Sequence, residues 1–466
     1  MNRWAIGAAL LCAVLLSHCV RASSGGAPGA TDGRADGASD GADDATRDGS
    51  TGLEVTIGEA VNPSDGPLAT LDSSSDFPEL DATGPCGSLG NVCCASGSGT
   101  TCNSTSLVCL ENKTCSCVGR IVGGGDSQCA GHPGGTATCW GSNSAGQLAL
   151  TSAITVAKPT MVTSIPGKIF SFALGNEHGC AVIGTPLQLY CWGANPFGQA
   201  GHDLVGSDKP ILVVIPGDAQ RVAAGFAHTC AINNKNQLYC WGNNFEGQLS
   251  AAVTDMETSK PTLLAVQDVV DVGLGRFHTC AATKTSVQCW GRNSEGQLGA
   301  GNFGNTAAVV TVGLGAAQQI TAGARHTCAL RNNEVYCWGD NAAGQVGVPG
   351  NTRAASPQLV APLLLKARRV VAGLEHTCAI RVDGVVFCWG GNGAGQSSPS
   401  SSLTTIPTPT QVPGIQGAVD LALGSQHTCA LTLGGEVRCW GDGGKGQLGG
   451  GIAGLPGPTT VAITCP

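Results

Sequence analysis

Six histidines and fourteen cysteines in this 466-residue chain sit at recurring spacings, and both residue types can do chemistry. His178, His228, His278, His326, His376 and His427 each follow a Gly by three positions and precede a Cys by two. Such a series invites a metal site or a general base. It lacks the rest of one, because the histidines recur once per repeat instead of meeting a shared carboxylate and nucleophile. Equivalent residues of separate units lie too far apart to share an ion, so each is read as a buried, hydrogen-bonded histidine. The cysteines fall into pairs: Cys129 with Cys139, Cys180 with Cys191, Cys230 with Cys240, Cys280 with Cys289, Cys328 with Cys337, Cys378 with Cys388, and Cys429 with Cys439. Each pair spans one hairpin, and partners on adjacent strands would sit within disulfide reach. A metal held by two cysteines would need two further ligands that the hairpins do not supply. Gly-x-Ser-x-Gly occurs once, at residues 37–41, in a Gly- and Asp-rich stretch without the flanking strand and helix of a nucleophile elbow, and no Walker loop is present. The chain is therefore expected to be no enzyme, with no catalytic, cofactor-binding or metal-binding residues and no cofactor.

The elements that position these residues form an array. The triplet Cys-Trp-Gly starts at residues 139, 191, 240, 289, 337, 388 and 439, in steps of 52, 49, 49, 48, 51 and 51. A period this regular outranks any local reading. Within each period an apolar run leads to Gly-x-x-His-x-Cys, and a strand, a polar turn and a second strand ending in Cys-Trp-Gly follow. A Gly-x-Asn-x-x-Gly-Gln turn, a variable loop and a Pro-marked strand complete it. About four short strands per period with no helical pattern predict an all-β, seven-bladed propeller of four-stranded blades over residues 118–466. Seven of the eight tryptophans are those of the triplets, Trp140, Trp192, Trp241, Trp290, Trp338, Trp389 and Trp440. One large ring per blade at a fixed place reads as blade packing. A carbohydrate platform is the alternative. The Gly before each His is expected to allow close approach or a positive φ. The Gln after the turn glycine is expected to fix neighbouring backbone.

The repeat Gly-x-x-His-x-Cys-Ala-Leu followed by Cys-Trp-Gly-x-Asn-x-x-Gly-Gln-Leu-Gly resembles that of the regulator-of-chromosome-condensation (RCC1-like) family, most clearly from Gly323 to Val346 and from Gly424 to Gly449. The resemblance covers residues 118–466 and implies a seven-bladed propeller. The first repeat departs most, with Ser127 in the histidine position. The family includes nuclear guanine-nucleotide exchange factors for small GTPases. It also includes exported inhibitors of β-lactamase. Neither function transfers residue by residue, because the loops that would carry it do not match.

Composition points to an exported, bacterial-type member with a Cys-rich module ahead of the propeller. The chain has 24 cysteines, a count that fits an oxidising compartment better than the cytosol. Residues 1–22 read as a signal peptide, and Cys19, in a sequence resembling a lipobox, could take a lipid anchor. Residues 23–85 carry most of the acidic excess behind a net charge of -8 and read as a disordered acidic linker. Residues 86–117 hold seven cysteines and read as a small disulfide-rich module. No segment after the leader is apolar enough to cross a membrane. The nearly neutral repeat region offers no field for nucleic acid. The expected function is an extracytoplasmic scaffold, secreted or on the cell envelope, whose loops bind a protein. The alternatives are a secreted enzyme inhibitor, a glycan-binding adhesin, and an exchange factor. Export and a repeat length that leaves no room for a protruding wedge weigh against the last.

One cysteine, Cys465, is left over near the C-terminus. Residues 458–461 align with residues 409–412, which puts Cys465 on the position of Gln416 and Cys117 on that of Gly417. The two ends thus supply adjacent positions of one repeat. The expectation is a C-terminal strand that completes the first blade and a Cys117–Cys465 disulfide across the closure.

Overall fold

A computed structural model describes residues 108–109, 115–151, 154–360, 366–450 and 457–464. The leader, the acidic linker, Cys19, most of the 86–117 module and Cys465 lie outside these residues. Between Arg120 and Val461 the chain forms seven four-stranded antiparallel sheets, with no helix among the described residues. These are the blades of a propeller. Ahead of them Val108–Cys109 pairs with Cys115–Ser116 in a two-stranded ladder.

Blade 3 shows why this sequence makes these strands. Its innermost strand is Ala219–Ala224, its second His228–Asn233, its third Leu238–Asn243 and its outermost Glu257–Leu263. Every residue of the two middle strands is buried, so His-Thr-Cys-Ala-Ile reads as a continuous small and apolar run without alternation. The outer strand is half exposed. It is an edge, and five of the seven outer strands carry proline, often behind a lysine as in Lys158-Pro159, Lys209-Pro210 and Lys260-Pro261. A missing N–H and a charge both discourage pairing with another chain. In blades 1 to 6 the ladder to the outer strand slips at the tryptophan, in blade 3 between Cys240 and Gly242. The glycine there has φ of 107°, and a Cβ on it would lie 2.7 Å from the Ala227 carbonyl oxygen. Only glycine fits this bulge, which explains the third letter of the triplet.

All seven blades are continuous in sequence. The first uses Arg120–Gly124, Ser127–Gly131, Ala137–Ser142 and Thr155–Val162. The last uses Ala418–Leu423, His427–Thr432, Val437–Gly441 and Thr459–Val461. The expectation that the C-terminal strand completes the first blade is therefore corrected. Thr459–Val461 pairs with Val437–Cys439 as the outer strand of blade 7, leaving blade 1 to supply all four of its own strands. Backbone and side-chain contacts close the ring instead. The Ile121 N–H donates to Asp420 at 3.0 Å, the Ser425 N–H donates to the Gly125 carbonyl at 2.7 Å, and one apolar cluster joins Val118, Ile121 and Trp140 to Leu431, Leu448 and Val461.

Candidate functional site

The recurring residues build the interfaces between blades. In the hairpins, Cys230 and Cys240 face each other across the ladder with their Cα atoms 4.1 Å apart, and the sulfurs are bonded. The same holds for Cys129–Cys139, Cys180–Cys191, Cys280–Cys289, Cys328–Cys337, Cys378–Cys388 and Cys429–Cys439. Cys117 is also disulfide-bonded. Its pairing with Cys465 falls on a residue outside the described ones.

The tryptophans are fully buried. Each indole N–H donates to the backbone carbonyl of the turn glutamine in the preceding blade. Trp192 reaches Gln147 at 2.9 Å, Trp241 reaches Gln199 at 3.0 Å, Trp290 reaches Gln248 at 2.8 Å, and Trp140 reaches Gln447 at 3.0 Å across the closure. Trp338, Trp389 and Trp440 do the same with Gln297, Gln345 and Gln396. The glutamine side chain holds that carbonyl in place by accepting from the backbone N–H two residues back, as Gln248 does from Glu246 at 2.9 Å. With their polar edges engaged and their faces covered, these rings have no free surface on which a sugar could stack.

Five histidines join the same network. His228 Nε2 lies 3.0 Å from the Thr279 hydroxyl of the next blade, and that hydroxyl donates to the Gln248 carbonyl at 2.8 Å. The threonine proton being engaged, the histidine must donate from Nε2. His178, His278, His326 and His376 repeat the arrangement, and His427 donates to the Gln128 side chain. Burial pushes the imidazoles down, to about 3 for His228, His278, His326 and His376 and to about 4 for His178 and His427. They are neutral at any physiological pH and are structural ties. The glycine three residues before each is a close-approach position. A Cβ on Gly275 would lie 2.1 Å from Cε1 of His278. Among the described residues no group of His, Cys, Asp and Glu is placed to hold a metal ion.

What could engage a partner lies elsewhere. The first and third strands of a blade run the same way, so the Gly-x-x-His loops and the loops after Cys-Trp-Gly emerge at one end of the propeller. From blade 2 to blade 5 this loop face carries Phe197, Phe226, Phe245, Phe277 and Phe303, with arginines stacked among them. The Phe197 and Phe245 rings meet edge to face at 5.6 Å. The Arg276 guanidinium lies 4.7 Å from the Phe226 ring and 5.3 Å from that of Phe277. Arg353 stacks over Phe303 at 5.0 Å. Phe245 is 50% exposed and Phe303 47%, and these are the exposed aromatic rings of the described residues. Aromatic and arginine side chains held rigid by each other are the composition of protein-binding hot spots. The sequence reading missed this patch. Its signal was the pair Gly225-Phe226 and Gly275-Arg276-Phe277, where other repeats place mostly small or polar residues.

The propeller axis opens onto the same face. Leu174, Leu274 and Leu423 line both a loop-side vestibule of about 110 Å³ and a cavity of about 230 Å³ on the other side. Around the loop-side mouth, the N–H groups of Asn176, Phe226, Arg276, Ala324, Leu374 and Ser425 each donate to a carbonyl of the following blade at 2.7–3.4 Å.

Residues 138–464 match the family model described as the RCC1-like domain. The chain is 27% identical over 360 residues to the ultraviolet-B receptor UVR8 of Arabidopsis thaliana, covering 71% of this chain and 78% of that protein. Its fold is similar to yeast RCC1 (Prp20) in a structure with bound Kap60, with a TM-score of 0.63, 22% identity, and coverage of 70% of this chain and 83% of that one. It is likewise similar to Prp20p from Saccharomyces cerevisiae, whose structure was described with its binding properties to Gsp1p and histones, with a TM-score of 0.62, 24% identity, and coverage of 70% and 86%.

These relatives correct the compartment reading. They are eukaryotic proteins of the cell interior, not exported bacterial ones. The expectations of export, of a secreted or cell-envelope location and of a protein or glycan partner outside the cytoplasm are corrected with it; residues 1–22 and Cys19 lie outside the described residues. The physical reason lies in the cysteines. Their paired spacing reports hairpin register, which sets the two residues of each blade opposite one another, and spacing of that origin does not name a compartment.

Proposed function

We propose a function from one premise: the chain belongs to the RCC1-like domain family. The propeller is a protein-docking scaffold that holds a globular partner on the loop face of blades 2–5. The observation that carries this reading is the aromatic and arginine patch around Phe245, Arg276 and Phe303, rigid and partly exposed on an otherwise nearly neutral domain. Among partner classes the reading favours a small GTP-binding protein and guanine-nucleotide exchange over an envelope partner. The support is the fold shared with Prp20p and the binding of that protein to Gsp1p. Exchange requires no bond to be made or broken by the scaffold. It needs a bound partner whose nucleotide site is distorted, so this role is consistent with interfaces built from neutral, engaged histidines.

The test measures release of a fluorescent GDP analogue from purified Gsp1p with and without the full chain. Release should accelerate, and Phe245→Ser with Phe303→Ser should abolish both acceleration and association while the melting midpoint stays put. Association that survives the double substitution would remove the patch from the docking surface. Association without acceleration would leave a docking scaffold and remove the exchange role.

A further inference from the structure

We infer that the loop-side mouth of the propeller axis is a socket for a carboxylate side chain of the docked partner, with Arg276 as its counter-charge. The inference rests on the loop face being the docking face and names the chemistry of what it takes. Four arginines belong to this face. Arg292 lies 3.7 Å from Glu246, Arg325 lies 3.0 Å from Asp340 and 3.6 Å from Glu375, and Arg353 lies 3.8 Å from Glu295. Arg276 is exposed and has no carboxylate within 4.0 Å among the described residues. It is also the one charged residue lining the loop-side vestibule of about 110 Å³, whose other walls are glycine, alanine, leucine, Phe226, Asn176 and Ser425.

Three features make this position a receptor and not a stray surface charge. Arg276 is held between the Phe226 and Phe277 rings, so much of its rotamer freedom is already lost before a partner arrives. The vestibule is small, about 110 Å³, which fits the end of one side chain better than a long segment. The ring of backbone N–H groups around the mouth already donates to carbonyls of neighbouring blades. The guanidinium fork is thus the charged donor left for a ligand, beside the Asn176 amide and the Ser425 hydroxyl, and a planar fork matches the two oxygens of a carboxylate. A phosphate, with about two negative charges, would meet a single cation. A basic side chain would meet an uncompensated cation. The surrounding phenylalanines add that the partner's acid should stand next to an apolar residue, which would pack on Phe226 and Phe245.

The experiment probes the full chain with an array of random 12-residue peptides, including phosphoserine-containing members. Bound peptides should carry Asp or Glu beside an apolar residue. The strongest is then resynthesised with its acid changed to the amide and titrated by fluorescence polarisation. That change, and separately Arg276→Gln, should each weaken binding by about 10-fold or more. The two changes together should cost no more than either alone, because they remove the same contact. Arg276→Lys should fall between, keeping charge and losing the fork. Unchanged melting midpoints establish that each variant is folded. Selected peptides without acids, a preference for phosphoserine, losses that add independently, or no bound peptide would each overturn the socket. If Phe245→Ser weakens binding and Arg276→Gln does not, the docking face stands and the socket falls. If neither changes it, both fall.

Discussion

Blade 4 and blade 1 have the same four strands and the same cross-strand disulfide, yet they are tied to the next blade differently. In blade 4, His278 donates to Thr327 of blade 5 at 2.9 Å, and Thr327 donates to the Gln297 carbonyl of its neighbour at 2.9 Å. In blade 1 the histidine is replaced by Ser127, which turns inward to the Ser142 carbonyl of its own blade at 2.8 Å. The threonine that would receive it in blade 2 is replaced by Gly179. Of that polar tie only the Trp192 bond to the Gln147 carbonyl remains. The closure between blades 7 and 1 keeps a histidine donor, but onto Gln128, and adds Arg120 at 4.0 Å from Asp420 and Lys445 at 2.7 Å from Asp126. The exposed lysine pair is worth little in water. The difference teaches which part of the motif is indispensable. All seven interfaces keep the tryptophan-to-glutamine bond, and one does without the histidine.

Reduction tests that comparison most severely. A loop of 9 to 11 residues closed by a disulfide contributes about 2–3 kcal/mol. Seven such staples sum to at least the roughly 5–15 kcal/mol net stability of a typical domain. The melting midpoint should collapse on reduction. In partially reduced protein, hydrogen exchange should rise first in Arg120–Val162, the blade with the missing tie. A midpoint that moves by only a few degrees would show that the staples hold little. Uniform exchange would show that the missing tie does not matter.

A smaller effect separates the blades by substitution. His278→Ala should cost about 1–3 kcal/mol, because it opens a cavity and leaves the Thr327 hydroxyl short of a partner. Ser127→His installs the residue of the other six blades and should nevertheless destabilise, since no threonine receives it and a buried polar ring is left unpaired. Urea titration of both variants checks this. A stabilised Ser127→His protein would mean that the neighbouring blade can adapt to take the ring.

A separate effect is on pH. The six histidines have folded values of about 3 or 4, below the ordinary 6.5, so the unfolded chain takes up their protons first. Their contribution is complete above pH 6.5 and is lost as pH falls through that value towards 4. Asp271 works the other way: burial pushes it up to about 6 from 3.8, so its contribution is complete below 3.8 and lost as pH rises through 6. With six groups against one, the melting midpoint should fall steadily from pH 7 to pH 4. Substituting His278 should flatten that slope and Ser127→Ala should leave it alone. A midpoint that rises on acidification would contradict the neutral assignment.

Much of this was legible in the sequence because the repeat exposes it. Seven copies of Cys-Trp-Gly fix the blade count. A spacing of 9 to 11 between paired cysteines fixes the hairpin. The position of tryptophan beside cysteine fixes its burial. Three things were not legible. A periodic sequence can be cut anywhere, so the repeat could not say that residues 459–461 belong to the blade before them and not to the one after. The paired cysteines follow strand register, and register names no compartment. The docking patch comprises residues such as Phe245 and Phe303, which follow no period because the loops that carry them are where the copies differ.

Because no strand is borrowed across the closure, each blade begins and ends within one uninterrupted stretch of chain, as Ala219–Leu263 does. The sequence repeat and the structural blade then coincide. A tandem copying or loss of one repeat would add or remove one whole blade and leave no widowed strand behind. The same continuity makes every connection between an outer strand and the next inner strand equivalent as a place to relocate the chain's two ends. The propeller is thus closed in space but has no privileged origin in sequence, and what marks its first blade is a missing histidine.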